Sequence, residues 1–276
     1  MSIELLDIQN QKSNSLADKK GVFLLSGGMD SSTLFAQLLK GGYTLYPVTF
    51  DYGQKHKAAE NEAAFRIHQH YRNLYPSQVK AMKEIQLDLA NITVSTLVTK
   101  NLEIPKNMEE QAKTVVPHRN ALMITLAASY GAGLGINNVF ITPVLEDWQN
   151  YCDCRREFID ALERALRLSA GNSDICIFTP YIHRSKNEVI AWGIKNGVDY
   201  SLTWSCYLGG KLDSLGRIPC CLEIEEDIEK LHSHPVGCPS CQERLISFNY
   251  NNAKDPLIVS ILNKRSTYDT ATSKNS

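Results

Sequence analysis

Residues 21–39, GVFLLSGGMDSSTLFAQLL, lead from a short apolar run through a glycine- and serine-rich loop into a helical pattern. The apolar run at 21–25 predicts a strand, and residues 31–40 predict a helix. The loop therefore lies at a helix N-terminus, where unpaired N–H groups and the positive end of the helix dipole attract anions. This junction predicts a phosphate-binding loop. The alternative is a glycine turn in which a serine or aspartate only caps the helix.

The composition of the loop narrows the kind of phosphate site. Glycines allow the backbone to approach a ligand and to take a positive φ, and serines add hydroxyl donors. The residues concerned are Ser26, Gly27, Gly28, Ser31 and Ser32. The loop matches neither the lysine-containing P-loop of common NTPases nor the dinucleotide fingerprint G-x-G-x-x-G. Because that lysine is missing, the loop suits a pyrophosphate that departs whole, with Asp30 placed to hold Mg²⁺ or to order the loop.

The rest of the chain alternates between strand and helix patterns. Strands are predicted at 21–25, 43–50, 82–87, 138–142 and 175–178, and helices at 31–40, 56–73, 119–134, 155–169 and 185–196. This alternation is typical of a doubly wound α/β fold, with a mainly parallel sheet of five or six strands covered by helices on both faces.

Composition and charge exclude several classes of protein. The chain has 276 residues, 43% hydrophobic content and a formal net charge of −1. Such a balance gives no general attraction to nucleic acid or to a membrane surface, and no apolar run approaches the roughly 18 residues that span a bilayer. We expect a cytoplasmic protein. In that compartment its eight cysteines favour a metal site or catalysis over disulfides.

Several motifs together resemble one enzyme family. SGGMDSS at 26–32 is similar to the SGGxDS signature of the PP-loop ATP pyrophosphatases, and FDYGQKH at 50–56 resembles a segment of the 7-cyano-7-deazaguanine synthase family, QueC. Further segments follow in that family's order: VVPHRN (115–120), YCDCRREF (151–158), FTPYIHRSKNEVI (178–190), LTWSCY (202–207) and CPSCQERL (238–245). The resemblance covers most of residues 21–250.

The resemblance implies an ATP-dependent carbon–nitrogen ligase of queuosine biosynthesis. The carboxylate of 7-carboxy-7-deazaguanine attacks the α-phosphate of ATP and pyrophosphate leaves. Ammonia then displaces AMP, and a second ATP converts the amide to the nitrile, 7-cyano-7-deazaguanine (preQ0). It also implies Mg²⁺ and Zn²⁺ as cofactors, and we expect a homodimer. Nucleotide binding would use the loop together with Phe50 and Gln54. Asp30, Arg119 and Lys186 would be catalytic, the last two as cationic clamps unless they are ordinary surface charges.

Recognition of the base is assigned to the segment LEDWQNYCDCRR, residues 145–156. A planar base needs an aromatic face and a carboxylate for its N–H edge. The candidates are Asp147, Trp148, Tyr151 and Asp153, although the aromatic residues could simply anchor a loop. The family has Tyr-Pro-Asp-Cys where this chain has Tyr-Cys-Asp-Cys, and usually a glycine where His118 stands. These departures keep open a divergent enzyme that stops at the amide or transfers the deazaguanine to an amine of a protein or other acceptor.

A cysteine cluster follows the alternating region. The C-x-x-C turn at 238–241 is typical of a zinc site. The family places a further cysteine three residues before this turn, where the chain has Pro235, so an insertion at 221–237 would displace it to Cys220. His234 and Cys221 are the alternatives, in that order. The predicted zinc ligands are Cys206, Cys220, Cys238 and Cys241.

The chain is therefore divided into one large domain with smaller attachments. We predict a flexible lead-in at 1–20, a PP-loop domain at 21–200, a zinc-binding region at 201–250 and a flexible tail at 264–276. The acidic insertion has apolar residues partly at helical spacing. It predicts a short helix that packs on the body or meets a protein partner.

Overall fold

The computed structural model describes residues 19–171, 173–208, 220–222, 236–260 and 263. Most of the predicted lead-in and of the insertion, including His234, and the whole tail at 264–276 lie outside these residues. Within the described part, no helix is both long enough and apolar enough to cross a membrane.

The core of the fold is a parallel sheet of five strands in the order β3-β2-β1-β4-β5. The strands are β1 (Lys20–Leu24), β2 (Thr44–Asp51), β3 (Lys83–Gln86), β4 (Asn138–Phe140) and β5 (Cys176–Phe178). The chain builds one side of the sheet from β1 to β3 and then returns to the other side of β1 with β4. In open sheets of this kind, ligands bind beyond the carboxyl ends of the strands where the order reverses. The predicted fold is confirmed.

Helices cover both faces of the sheet. They are α1 (Met29–Lys40), α2 (Lys57–Leu74), α3 (Arg119–Gly133), α4 (Arg156–Ser169), α5 (Lys186–Lys195) and α6 (Pro239–Tyr250). The first five correspond to the helices predicted from the sequence, whereas α6 has no predicted counterpart. Alternate residues of β1 enter opposite cores. Val22 packs on the side of α3 and α4, and Phe23 packs on the side of α1, α2 and α5.

Helix α6 is held in place by the buried Arg244, which forms an ion pair with the segment after the helix and hydrogen bonds with residues before it. The guanidinium of Arg244 is fully buried and donates two 2.7 Å hydrogen bonds to the carboxylate of Asp255. It also donates to the Thr203 hydroxyl at 2.7 Å and to the Tyr200 carbonyl at 3.2 Å. Since a buried charge is tolerated only when it is fully paired, this network holds α6 in one position. The described part of 201–250 is thus packed against the larger domain.

Candidate active site

The predicted phosphate loop lies at the carboxyl end of β1 and opens α1. The N-cap of α1 is Gly28, and the first helical hydrogen bond runs from the Ser32 N–H to the Gly28 carbonyl at 3.1 Å. The Ser31 and Ser32 hydroxyls also donate to that carbonyl, at 3.1 Å and 2.7 Å. A serine or aspartate therefore does not occupy the cap position. The N–H groups of the first turn have no acceptor within the helix, so they can donate hydrogen bonds to an anion.

Gly27 is required by the geometry of this loop. Its φ is +80°, and a Cβ there would lie 2.7 Å from the backbone nitrogen of Ala64 and 2.8 Å from the carbonyl oxygen of Glu60. The Gly27 carbonyl accepts a 2.9 Å hydrogen bond from the N–H of Trp204. The loop is thus held between α2 and the segment that leads to the cysteines.

A cavity of about 280 Å³ opens beside the loop, at the carboxyl ends of β1, β2 and β4. Eight of the predicted site residues line it: Ser26, Gly28, Asp30, Phe50, Arg119, Asp147, Tyr151 and Lys186. Six others do not: Gly27, Ser31, Ser32, Gln54, Trp148 and Asp153. Segments that are far apart in the sequence therefore meet in one place, as the resemblance implies.

Arg119 begins α3 and presents a partly buried cation to this cavity. Its guanidinium lies 5.7 Å from the ring centre of Tyr52 and contacts the Tyr52 hydroxyl and the Asn120 side-chain oxygen, which are neutral groups. Burial disfavours the charge, but nearby Tyr52, Tyr151 and Asp153 raise the pKa of Arg119 overall. The preceding residue, His118, has φ 60°. The left-handed turn is thus formed even though histidine replaces the family's glycine.

Lys186 lies at the start of α5 among carboxylates. Its ammonium contacts Glu243 and lies 3.6 Å from an oxygen of Asp30. Its backbone N–H donates to the Glu146 carboxylate at 2.9 Å. Burial opposes the charge, but Glu243, Asp30 and Asp147 raise the pKa of Lys186 well above its ordinary value. Burial also opposes ionisation of Glu243, yet Lys186 lowers the pKa of that carboxyl overall. Both groups are therefore charged.

The acidic groups of the cavity outnumber its lysine and arginine side chains. Asp30, Glu60, Asp147 and Glu243 line it, against Arg119 and Lys186. Burial raises the pKa of Asp30, and it raises that of Asp147 to about 7. One oxygen of Asp30, Oδ1, is buried and has no hydrogen-bond partner among the described residues. A divalent cation arriving with a nucleotide would satisfy this oxygen, so the donor set fits Mg²⁺.

The predicted base-recognition residues separate into two pairs. Asp147 and Tyr151 line the cavity, where the Tyr151 hydroxyl pairs with that of Thr114 at 2.6 Å. Asp153 instead accepts two 3.2 Å hydrogen bonds from Asn120 and supports the start of α3. Trp148 packs edge-on against His183 with 5.2 Å between ring centres. The cavity thus brings together the first pair only.

The FDYGQKH segment contributes more residues than were predicted. Tyr52 and His56 line the cavity, together with Glu60 from the first turn of α2. Gln54 is buried behind them, where its amide donates to Glu60 at 2.8 Å and to the Phe50 carbonyl at 3.1 Å. Gln54 therefore orders the loop. Glu243 was also missed, because a single glutamate after a C-x-x-C turn carries no signal that relates it to a lysine 57 residues earlier.

Five cysteines meet beneath the cavity. Four sulfur atoms, those of Cys206, Cys220, Cys221 and Cys241, lie within 4.8 Å of one another and are buried. Sulfur atoms bound to one tetrahedral zinc ion have comparable separations. Cys238, the fifth, is fully buried at the N-cap of α6, and its Sγ accepts from the Tyr207 N–H at 3.4 Å. The close group thus contains three of the four predicted ligands, Cys206, Cys220 and Cys241, together with Cys221, whereas the predicted ligand Cys238 lies beside it.

Known proteins resemble this chain over most of its length. Residues 20–252 match the family described as queuosine biosynthesis protein QueC. The chain is 34% identical over 247 residues to the 7-cyano-7-deazaguanine synthase of Archaeoglobus fulgidus, covering 87% of this chain and 90% of the relative. It is 35% identical to that of Thermoplasma volcanium, with the same two coverages. The synthase of Methanoregula boonei is 35% identical, with 86% of this chain and 98% of the relative covered. The chain belongs to the QueC family.

Proposed function

We propose that this protein converts 7-carboxy-7-deazaguanine to 7-cyano-7-deazaguanine with ATP and ammonia, releasing AMP and pyrophosphate. The observation that carries the proposal is the cavity, because it joins a helix N-terminus suited to anions, two partly buried cations and a carboxylate oxygen without a partner among the described residues. The proteins that share 34–35% identity with the chain over nearly their whole length are named for this synthesis.

The loop and the cations act on the departing pyrophosphate. A carboxylate oxygen is a poor leaving group. When it bonds to the α-phosphorus of ATP and pyrophosphate departs, it becomes part of AMP, which is a good leaving group. The N–H groups at the start of α1 and the Ser26 hydroxyl bind the β- and γ-phosphates, and Lys186 and Arg119 neutralise the charge that develops. Asp30 would hold Mg²⁺, which supplies further positive charge there. Ammonia then attacks the acyl carbon, and AMP leaves. A second adenylation, on the amide oxygen, precedes loss of AMP to form the nitrile.

Asp147 and Tyr151 take the deazaguanine in this proposal. The Asp147 carboxyl accepts from the backbone N–H of Val144 at 2.9 Å through one oxygen, which leaves its second oxygen for the N–H edge of the base. Tyr151 supplies the aromatic surface. Trp148 and Asp153 hold the segment in place behind them.

We also propose a structural zinc ion bound by Cys206, Cys220, Cys238 and Cys241. Such a site is closed by four thiolates and has no open position for catalysis. Two of the ligands lie at the beginning of α6, which carries Glu243 into the cavity.

We further propose that the protein is a cytoplasmic homodimer and that a protein partner binds at the acidic insertion. Light scattering on the purified protein would test the dimer.

The decisive experiment follows the mass of the deazaguanine. The purified protein is incubated with ATP, Mg²⁺ and 7-carboxy-7-deazaguanine, with and without ammonium, and the products are read by mass spectrometry. We expect pyrophosphate and the acyl-adenylate without ammonium, and pyrophosphate, AMP and the nitrile with it. Accumulation of the amide would contradict the final step. Formation of ADP alone would place the protein outside this class of enzyme.

A further inference from the structure

Lys186 is shared between two carboxylates of the cavity. Its ammonium contacts the Glu243 carboxylate directly, whereas the nearer oxygen of Asp30 is 3.6 Å away. Asp30 and Lys186 come from the beginnings of α1 and α5, and Glu243 comes from α6. Since one ammonium lies between two anions, removing either anion would let it approach the other.

Glu243 is held firmly in this arrangement. One of its oxygens accepts a 2.8 Å hydrogen bond from the Gln111 side chain, and the other receives Lys186. Its side chain is 11% exposed. The adjacent residue, Arg244, belongs to the buried pair with Asp255 that fixes α6. Glu243 is thus oriented from both sides, and rotation away from the lysine would cost both contacts.

The arrangement leaves one oxygen of Asp30 available to bind a cation. Oδ1 has no partner among the described residues, and the other oxygen is only loosely approached by Lys186. A full ion pair with Lys186 would occupy Asp30 and repel a divalent cation. We propose that Glu243 is a positioning residue that retains Lys186 and so leaves Asp30 open to the Mg²⁺ that accompanies the nucleotide. This inference rests on the proposed adenylating function of the cavity.

The test measures divalent-cation binding without turnover. Mn²⁺ affinity is measured by electron paramagnetic resonance in the presence of α,β-methylene-ATP, whose α–β linkage cannot be cleaved. We expect Glu243→Gln to weaken Mn²⁺ binding about tenfold, which corresponds to ~1.4 kcal/mol. Glu243→Asp keeps the charge and should stay within about threefold of the unchanged protein. Glu62→Gln, which breaks an exposed pair with Arg66 on α2, serves as the control and should have no effect.

A second comparison, in a protein that lacks Lys186, distinguishes a positioning role of Glu243 from direct coordination of the cation. With Lys186→Met in the background, the ammonium that would approach Asp30 is gone, so adding Glu243→Gln should change Mn²⁺ affinity by less than about twofold. A tenfold loss in that background would make Glu243 a direct ligand and overturn the proposal, as would unchanged Mn²⁺ affinity in Glu243→Gln alone. Zinc content and melting temperature, measured on each variant, identify a merely structural defect, which would also overturn it. Failure of the proposed reaction would appear separately, as missing AMP in the unchanged protein.

Discussion

The two walls of the cavity are built in different ways. One wall, the loop wall, comes from the contiguous stretch 26–32, of which residues 26 and 28–30 line the cavity, and its conformation follows from glycine and helix-terminus chemistry. The adjoining wall, the assembled wall, consists of Asp147, Lys186 and Glu243, which come from three separate segments. Local sequence therefore determines most of the first, whereas the second depends on packing between distant segments, among them α6, which begins at the cysteine cluster. Damage to that cluster should affect the assembled wall while sparing the fold of the loop wall.

Removal of the metal is expected to have the largest effect. Cys241→Ala deletes a sulfur that belongs to the close four-atom group. We expect loss of bound zinc and, because metal binding is coupled to folding, a large fall in the melting temperature and in AMP formation. Atomic absorption and thermal denaturation measure the first two. The exposed Cys152 provides the control, and Cys152→Ala should leave all three unchanged. Full zinc occupancy in Cys241→Ala would contradict the assignment.

A second prediction about the cysteine cluster concerns which of Cys238 and Cys221 binds zinc. The sequence favours Cys238, whereas Cys221 lies within the close four-sulfur group. We expect Cys238→Ala to reduce zinc to less than about half of one ion per chain, since a three-thiolate site binds weakly, and Cys221→Ala to retain it. The Co²⁺-substituted protein provides an independent measurement, because its sulfur-to-metal absorption scales with the number of bound thiolates. The reverse result would move the fourth ligand to Cys221.

The sequence predicted the local features well. All five strands and the phosphate loop follow from patterns of a few neighbouring residues, and the structure confirms these strands. Trp148 and Asp153 were assigned to the base because they share a segment with Asp147, but side chains on short irregular turns point in different directions. Glu243 required knowledge of where α6 packs. That position depends on Arg244 and on cysteines separated in sequence, which no local pattern reveals.

The loop wall can be broken by a single methyl group. Gly27→Ala places a Cβ 2.7 Å from the Ala64 nitrogen at a φ of +80°. We expect a loss of about 2–4 kcal/mol from the free energy of unfolding, from backbone strain and overpacking together, and at least a hundredfold loss of AMP formation. Gly135→Ala is the matched control, because its φ is +69° but nothing lies within 4 Å of its Cβ. That variant should lose only about 1 kcal/mol and keep its activity. Equal losses in the two variants would show that crowding at Gly27 is unimportant.

The smallest effect is expected at Asp147, in the assembled wall, and it depends on pH. Burial raises the pKa of this carboxyl to about 7 from an ordinary value of 3.8, so the folded protein favours its protonated form. The stability that protonated Asp147 contributes to the folded protein is complete below pH 4 and is lost as the pH rises through about 7. Asp147→Asn keeps an oxygen for the Val144 N–H but cannot ionise. We therefore expect the variant to gain about 1 kcal/mol relative to the unchanged protein between pH 5 and pH 8, a value reduced for partial exposure. Urea denaturation at the two pH values measures the gain. A pH-independent difference would mean that Asp147 is already ionised in the folded protein at pH 5, and that Lys186 outweighs its burial.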